Sequence, residues 1–234
     1  GTTAWIAGPM EKPFIDPQTR VFHIYTLDGH GCNVFGTAQC AGRSISWAQE
    51  LFEITSLRSF DSLAEQVEPG AGGLIYLPYL EGERSPVFDA LAQGVFFGMN
   101  SMHKREHFTR AVLEGVACGL SQILDTFRER EQIDTLRIIG GGAKSRLWKQ
   151  IIADVCNVKL LEVSTFSDSA TSLGAAAAAG VGIGLFKSLP EAVRHISLSG
   201  TVEPSENAEE LYGLTKKRYA MLYPALKEAF HTRA

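Results

Sequence analysis

Phe108, Val112, Val116, Leu120, Ile123, Leu124 and Phe127 recur three or four residues apart, the most regular apolar pattern in the chain. That spacing sets them on one stripe of an α-helix, and the charged run 128–131 marks its exit. A looser helical pattern covers residues 37–54, where Ile45, Trp47, Ala48, Leu51, Phe52 and Ile54 form a partly buried face. Residues 61–67 predict a shorter helix with Asp61 near its N-terminus. Residues 4–7 and 21–27 are β-prone, and the link between them holds Gly8-Pro9 and Asp16-Pro17, both turn signals, so they predict a hairpin with a long connection.

After the breaker 68–73 comes a compact apolar run, 74–80. The second half alternates. Residues 136–139 read as a buried strand, followed by Gly140-Gly141-Gly142 and a helical pattern through Leu147, Ile151, Ile152 and Val155. Residues 159–163 predict another strand, and 169–179 an Ala-rich helix. Residues 190–196 and 206–230 predict closing helices, the last kinked at Pro224. Strand, helix, strand, helix in succession is the pattern of a layered α/β domain. No repeat or linker divides the chain, so residues 1–234 are expected to form one domain.

Composition removes several classes of function. Apolar residues make up 45% of the chain, enough for a core, and the net charge of −4 offers no long-range attraction to nucleic acid or to an anionic membrane. The longest apolar stretch, 173–186, is Ala- and Gly-rich and shorter than the roughly 18 residues of a membrane span. Cys32, Cys40, Cys118 and Cys156 stand far apart without a Cys-x-x-Cys pair, which predicts buried free thiols. No secretory signal opens the chain and a cytoplasmic location is expected; the start at Gly1, without Met, reads as cut from something longer.

Candidate chemistry begins with Arg137-Ile138-Ile139-Gly140-Gly141-Gly142-Ala143-Lys144-Ser145-Arg146-Leu147-Trp148, a strand, a turn without side chains and a helix start. Missing Cβ atoms allow a flat ring or a phosphate to approach the backbone, and the helix start offers N–H groups and a positive dipole end. The spacing is neither Gly-x-Gly-x-x-Gly nor a Walker loop, and a plain tight turn remains an equal reading. Gly1-Thr2-Thr3 stands before an apolar segment, as a phosphate loop would in a hairpin, and a Thr hydroxyl with adjacent N–H groups can hold phosphate oxygens.

The stretch Gly73-Leu74-Ile75-Tyr76-Leu77-Pro78-Tyr79-Leu80-Glu81-Gly82-Glu83-Arg84-Ser85-Pro86, continuing to Asp89, Gly94 and Phe97-Gly98-Met99, closely resembles a signature of the FGGY carbohydrate kinases. The resemblance runs in family order from Gly1-Thr2-Thr3 through the Gly-rich turn to Ser169-Ala170-Thr171-Ser172-Leu173-Gly174-Ala175-Ala176, nearly the whole chain, with xylulokinases the most similar branch. It implies an α/β fold of the actin-like ATPase (ribonuclease H-like) type, a mixed sheet flanked by helices, with ATP and sugar bound between two domains. It implies ATP-dependent phosphorylation of a sugar hydroxyl, D-xylulose to xylulose 5-phosphate in this branch, with ATP and Mg²⁺ as cofactors. Residues 1–234 would be the C-terminal nucleotide-binding domain. The family's aspartate base precedes the phosphate loop, so it would belong to an N-terminal sugar-binding domain outside this chain, and the isolated chain would be inactive.

Residue by residue, the resemblance implies that Thr2 contacts the ATP phosphates and that Gly42 and Ser46 line the nucleotide cleft. It brings Gly141, Gly142 and Ala143 to adenine and ribose, with Arg146 near the base. Ser46 stands where some relatives have Gln and Arg146 where some have Asn, which changes the hydrogen bonds available to the nucleotide. Expected partners are the sugar, the nucleotide, the N-terminal kinase domain and a second copy in a homodimer, with no nucleic acid and no membrane. The rival reading is a non-catalytic binding or assembly module that keeps an actin-like fold around a degenerate cleft, motivated by those same two departures.

Other conspicuous residues have plainer expectations. Glu83 and Arg84 predict an ion pair, one that pins the signature loop in preference to an interdomain or active-site pair. His103 and His107 have metal-compatible helical spacing, but Lys104 and Arg105 between them oppose a cation, so a solvated helix face is expected. Asp168 predicts a helix cap in competition with Ser167 and Ser169, and residues 174–179 a close helix–helix approach. Trp5, Trp47 and Trp148 are expected in the core or a cleft wall.

Overall fold

The computed structural model describes residues 2–10, 12–27, 29–163, 170–194 and 196–232. The Phe108–Phe127 pattern becomes α3 (Arg105–Arg128), buried on nearly every side from Thr109 to Phe127. Everything else that positions the site is arranged around this helix.

A three-stranded antiparallel sheet, β1 (Ala4–Met10), β2 (Phe22–Tyr25) and β3 (Cys32–Ala38), packs on it through β1 and β3. Their order is β1-β3-β2, so the expected hairpin between the first two is corrected: each pairs with β3, and Gly8-Pro9 lies within β1 rather than in a turn. Pro9 is accommodated because β1 ends the sheet, where a missing N–H leaves no neighbour unpaired. Cys32, Val34 and Ala38 of β3 point into the core. Between them, Gly36 is where the Ile123 side chain of α3 presses on the sheet, in space a Cβ would fill. On the opposite face Phe22 stacks on Phe35 at 5.5 Å and Trp5 lies 6.1 Å from it, so Trp5 is an exposed sheet-face residue and not a core one.

The 37–54 pattern resolves into the end of β3 followed by α1 (Gly42–Leu51). The next helix, α2 (Leu57–Ala64), begins before the expected 61 because Ser56 caps it, its Oγ accepting the Ser59 N–H at 3.1 Å, and this leaves Asp61 in mid-helix. The run 74–80 supplies β4 (Ile75–Leu77), paired antiparallel with β5 (Val95–Phe97).

The Gly-rich half forms a mixed sheet. β6 (Thr135–Ile138) crosses through α4 (Arg146–Cys156) to a parallel β7 (Lys159–Val163), and β8 (Leu198–Val202) adds antiparallel to β7. β8 was not expected, and the predicted helix 190–196 shrinks to α6 (Leu189–Val193). The chain ends in α7 (Ala208–His231), which continues past Pro224 as one helix. The Ala-rich pattern becomes α5 (Ala170–Gly182). Its small residues do not provide the expected close approach: of 174–179 only Ala177 is buried, and a Cβ on Gly174 would meet nothing within 4 Å. Ser167, Asp168 and Ser169, the competing caps, lie outside the described residues. Among the described residues no helix is long and apolar enough to cross a membrane.

Candidate nucleotide site

Two of the expected site residues meet at the start of α1. Thr2 lies just before β1, and its carbonyl accepts the N–H groups of Ala41 at 2.9 Å and Arg43 at 3.0 Å. Thr2 is thereby fixed beside Gly42, the first residue of α1. No side chain caps this helix and no acidic residue occupies its first turn. An anion approaching here meets the positive end of the helix dipole with no carboxylate in the helix's first turn, while Glu50 and Glu81 both pair with Arg43 beside it.

Ser46 is one turn further along, and its hydroxyl donates to the Arg43 carbonyl at 3.1 Å. Its proton is used within the helix, which leaves the oxygen to act as an acceptor. Arg43 is held by Glu81 at 3.4 Å and Glu50 at 3.6 Å. Trp47 lies nearly parallel to Tyr76, 6.1 Å between centroids and 9° between planes, with Phe96 at 6.3 Å. It belongs to an aromatic wall, as expected.

The remaining expected residues meet at the turn after β6. Gly140 adopts φ 88°, a left-handed conformation that favours glycine. Residues 141–144 then form a short 3₁₀ turn, with the Ala143 N–H donating to the Gly140 carbonyl at 3.1 Å. Ser145 caps α4, its Oγ accepting the Trp148 N–H at 2.9 Å, while the Trp148 indole N–H donates to the Leu113 carbonyl of α3 at 3.2 Å. Asp61 of α2 lies beside Ser145; burial raises its pKa and the Ser145 hydroxyl opposes the rise. Arg146 is exposed on the first turn of α4.

The glycines of this turn differ in what they leave open. A Cβ on Gly142 would lie 3.0 Å from Cζ3 of Trp148, so packing within the chain already favours glycine there, the ring having to give by a few tenths of an ångström for any other residue. A Cβ on Gly141 would meet nothing within 4 Å. The same holds for Gly140, but its positive φ already calls for glycine, so Gly141 is the position of this turn whose missing Cβ neither backbone nor packing explains. The Thr2–Gly42–Ser46 group and the Gly141–Gly142–Ala143–Arg146 group stand on different elements, joined through α3, against which both α1 and α4 pack.

Two side-chain expectations are corrected. Glu83 does not pair with the Arg84 side chain: it is buried and accepts the backbone N–H groups of Gln39 at 2.6 Å and Arg84 at 2.8 Å, while Arg84 is exposed. The desolvated carboxylate makes better use of fixed N–H donors than of a mobile guanidinium. His103 and His107 do not share a helix face, because His103 precedes α3 while His107 sits in its first turn and accepts the N-cap N–H. Nδ1 of His103 accepts the Asn100 N–H at 3.0 Å, and Nδ1 of His107 accepts the Lys104 N–H at 3.3 Å. The four cysteines are buried and free as expected, and burial pushes Cys40 up to about 11 and Cys156 to about 12.

A layered α/β domain with an antiparallel three-stranded sheet and a parallel β-α-β unit on one central helix defines the class, that of actin-like ATPase domains. The chain belongs to the FGGY family of carbohydrate kinases, whose C-terminal-domain profile matches residues 2–183. It is similar to the xylulose kinase of Staphylococcus epidermidis, 35% identical over 196 residues that make up 82% of this chain and 39% of that protein. The crystal structure of ligand-bound xylulose kinase from Lactobacillus acidophilus superposes with a TM-score of 0.90 at 27% identity, covering 99% of this chain and 47% of that one. The gluconate kinase structure from the same organism gives a TM-score of 0.87 at 27% identity, with the same coverage. The chain therefore spans less than half the length of these relatives.

Proposed function

We propose that this chain is the nucleotide-binding half of an ATP-dependent sugar kinase, with Thr2 and Gly42 receiving the phosphates, Gly141 and Ala143 approaching adenine and ribose, and Ser46 and Arg146 at the cleft edge. Gly142 shapes the turn by admitting Trp148. The observation that carries the reading is the open face of Gly141, on a turn that follows a strand and leads into a capped helix. The start of α1, which has no side-chain cap and no acidic residue in its first turn, supports the phosphate end.

In-line transfer of a phosphoryl group depends on positioning and electrostatics more than on covalent chemistry by the protein. This chain's share is to hold the nucleotide's base and phosphates. The base that accepts the sugar's proton would come from the N-terminal half that the longer relatives possess, and activity would need both halves. D-xylulose is the proposed acceptor, on the likeness to the S. epidermidis and L. acidophilus xylulose kinases. The similarity to gluconate kinase makes the acceptor the least constrained part of the reading. Among the described residues no group of three His, Cys, Asp or Glu side chains could hold a metal ion, and Mg²⁺ is proposed as a cofactor of the complete site. It would enter as part of Mg·ATP, held largely by phosphate oxygens. A cytoplasmic location and a homodimer complete the proposal.

Calorimetric titration with ADP tests it. The wild-type chain is expected to bind one ADP, and Gly141→Val, whose Cβ would stand in space open to 4 Å, is expected to weaken binding at least about tenfold. Equal binding by both proteins would remove the Gly-rich turn from the site, and no binding by the wild type would favour a degenerate cleft.

A further inference from the structure

The loop after β4 is bound into the α1 corner through one buried carboxylate. Glu83, 5% exposed, receives the N–H groups of Gln39 and Arg84 on a single oxygen, Oε1. Gln39 directly follows β3 and is two residues before Ala41, whose N–H, together with that of Arg43, donates to the Thr2 carbonyl. A second tie lies two residues along the loop, where the Ser85 N–H donates to the Thr37 carbonyl at 3.1 Å.

The same loop is anchored at its other end. Glu83 and Asp89 exchange both backbone hydrogen bonds, at 2.9 and 3.0 Å. The Asp89 carboxylate accepts the Tyr223 hydroxyl at 2.9 Å and bonds Nε2 of His231 at 2.8 Å, both in α7. Residues 83–89 are thus a strut running from α7 to the end of β3 and the backbone just before α1.

We infer that Glu83 is a positioning residue for the phosphate end of the nucleotide: by holding the Gln39 N–H it fixes the backbone 39–43, and through it Thr2 and Gly42, in the arrangement that receives phosphate oxygens. This rests on the role of Thr2 and Gly42 proposed above. The task needs an acceptor and not a charge, since a carboxylate, a neutral carboxyl and a carboxamide each keep an oxygen for that N–H. Without any acceptor, the Gln39 N–H is left unpaired in a part-buried place, and the corner must shift to satisfy it.

ADP and adenosine, titrated into wild type, Glu83→Leu and Glu83→Gln, separate a phosphate-end effect from general loosening. Glu83→Leu is expected to weaken ADP by about tenfold, the equivalent of one net hydrogen bond, and to leave adenosine unchanged. Glu83→Gln, which retains the acceptor, is expected to restore ADP binding to within about threefold of wild type. Should Glu83→Leu fail to fold, Glu83→Asp replaces it, one methylene too short to reach Gln39, with the same two expectations. Unchanged ADP affinity in the folded variant, or equal losses of ADP and adenosine, would overturn the inference. A wild type that binds adenosine no more weakly than ADP would overturn it together with the phosphate role of Thr2 and Gly42, and a wild type that binds neither would overturn the proposed nucleotide site as a whole.

Discussion

Glu83 also makes the stability of this domain depend on pH in a calculable direction. Burial is the largest influence on its carboxyl and pushes it from 4.5 up to about 7, against the opposing N–H groups of Gln39, Arg84 and Ser85 and the charge of Arg84. The folded state therefore holds a proton that the unfolded chain releases near pH 4.5. This contribution to stability is complete at low pH and is lost as pH rises through 7. The whole loss is about 3 kcal/mol, of which roughly 2 to 3 kcal/mol falls between pH 5 and 8.5. Neighbouring Cys40 and Tyr79 are themselves pushed up by burial, Cys40 to about 11, so neither ionises in that window. Glu83→Gln removes the titration and keeps the acceptor. Urea unfolding of both proteins at pH 5 and pH 8.5 isolates the difference: wild type is expected to lose that 2 to 3 kcal/mol relative to the variant. Parallel stabilities, within about 0.5 kcal/mol at both pH values, would mean that Glu83 is solvated or ionised in the folded protein and would refute the reasoning.

Two further predictions concern the frame around the site. Arg110 and Glu114 form a buried pair at 2.6 Å on α3, with Arg110 also donating to the Tyr212 hydroxyl at 2.7 Å; Arg110→Ala leaves Glu114 buried without its cation and is expected to cost about 3 to 5 kcal/mol in urea unfolding. Ser145→Ala removes the cap of α4 at the Gly-rich turn and is expected to cost about 1 kcal/mol, with unchanged thermal stability arguing that the cap is dispensable.

The central helix was legible because a buried helix with a continuous apolar stripe leaves its period in the sequence, and Phe108 to Phe127 does so. β3 was not, because Cys32-Asn33-Val34-Phe35-Gly36-Thr37-Ala38 mixes small and polar residues, and Gly36 is required there by Ile123, about 90 positions away in sequence. Missing it turned two edge strands into a hairpin. β8 was hidden similarly: Leu198-Ser199-Gly200-Thr201-Val202 is short, and its partner β7 is set by tertiary pairing. The exposed Ala-rich helix α5 is the reverse case, where apolar composition suggested packing that the described residues do not provide.

The site was legible in part, and Gly140-Gly141-Gly142 explains where reading stops. Three identical residues stand there for three different reasons. Gly140 answers to a backbone dihedral and Gly142 to the ring of Trp148, and neither reason involves a ligand. Gly140 and Gly141 both have faces that no other part of the protein fills, and of the two only Gly141 has no positive φ to account for its missing Cβ. A sequence records that a Cβ is missing at each position but not what stands in its place, so a Gly-rich turn must overstate its own binding surface. Substituting Gly142 would injure the turn whether or not a nucleotide binds beside it, whereas a loss of ADP binding at Gly141 has the ligand as its simplest cause. Glu83 presents the opposite problem: its acidic side chain was visible, yet its significance depends on the Gln39 N–H, a backbone group that every non-proline residue carries and no sequence pattern marks.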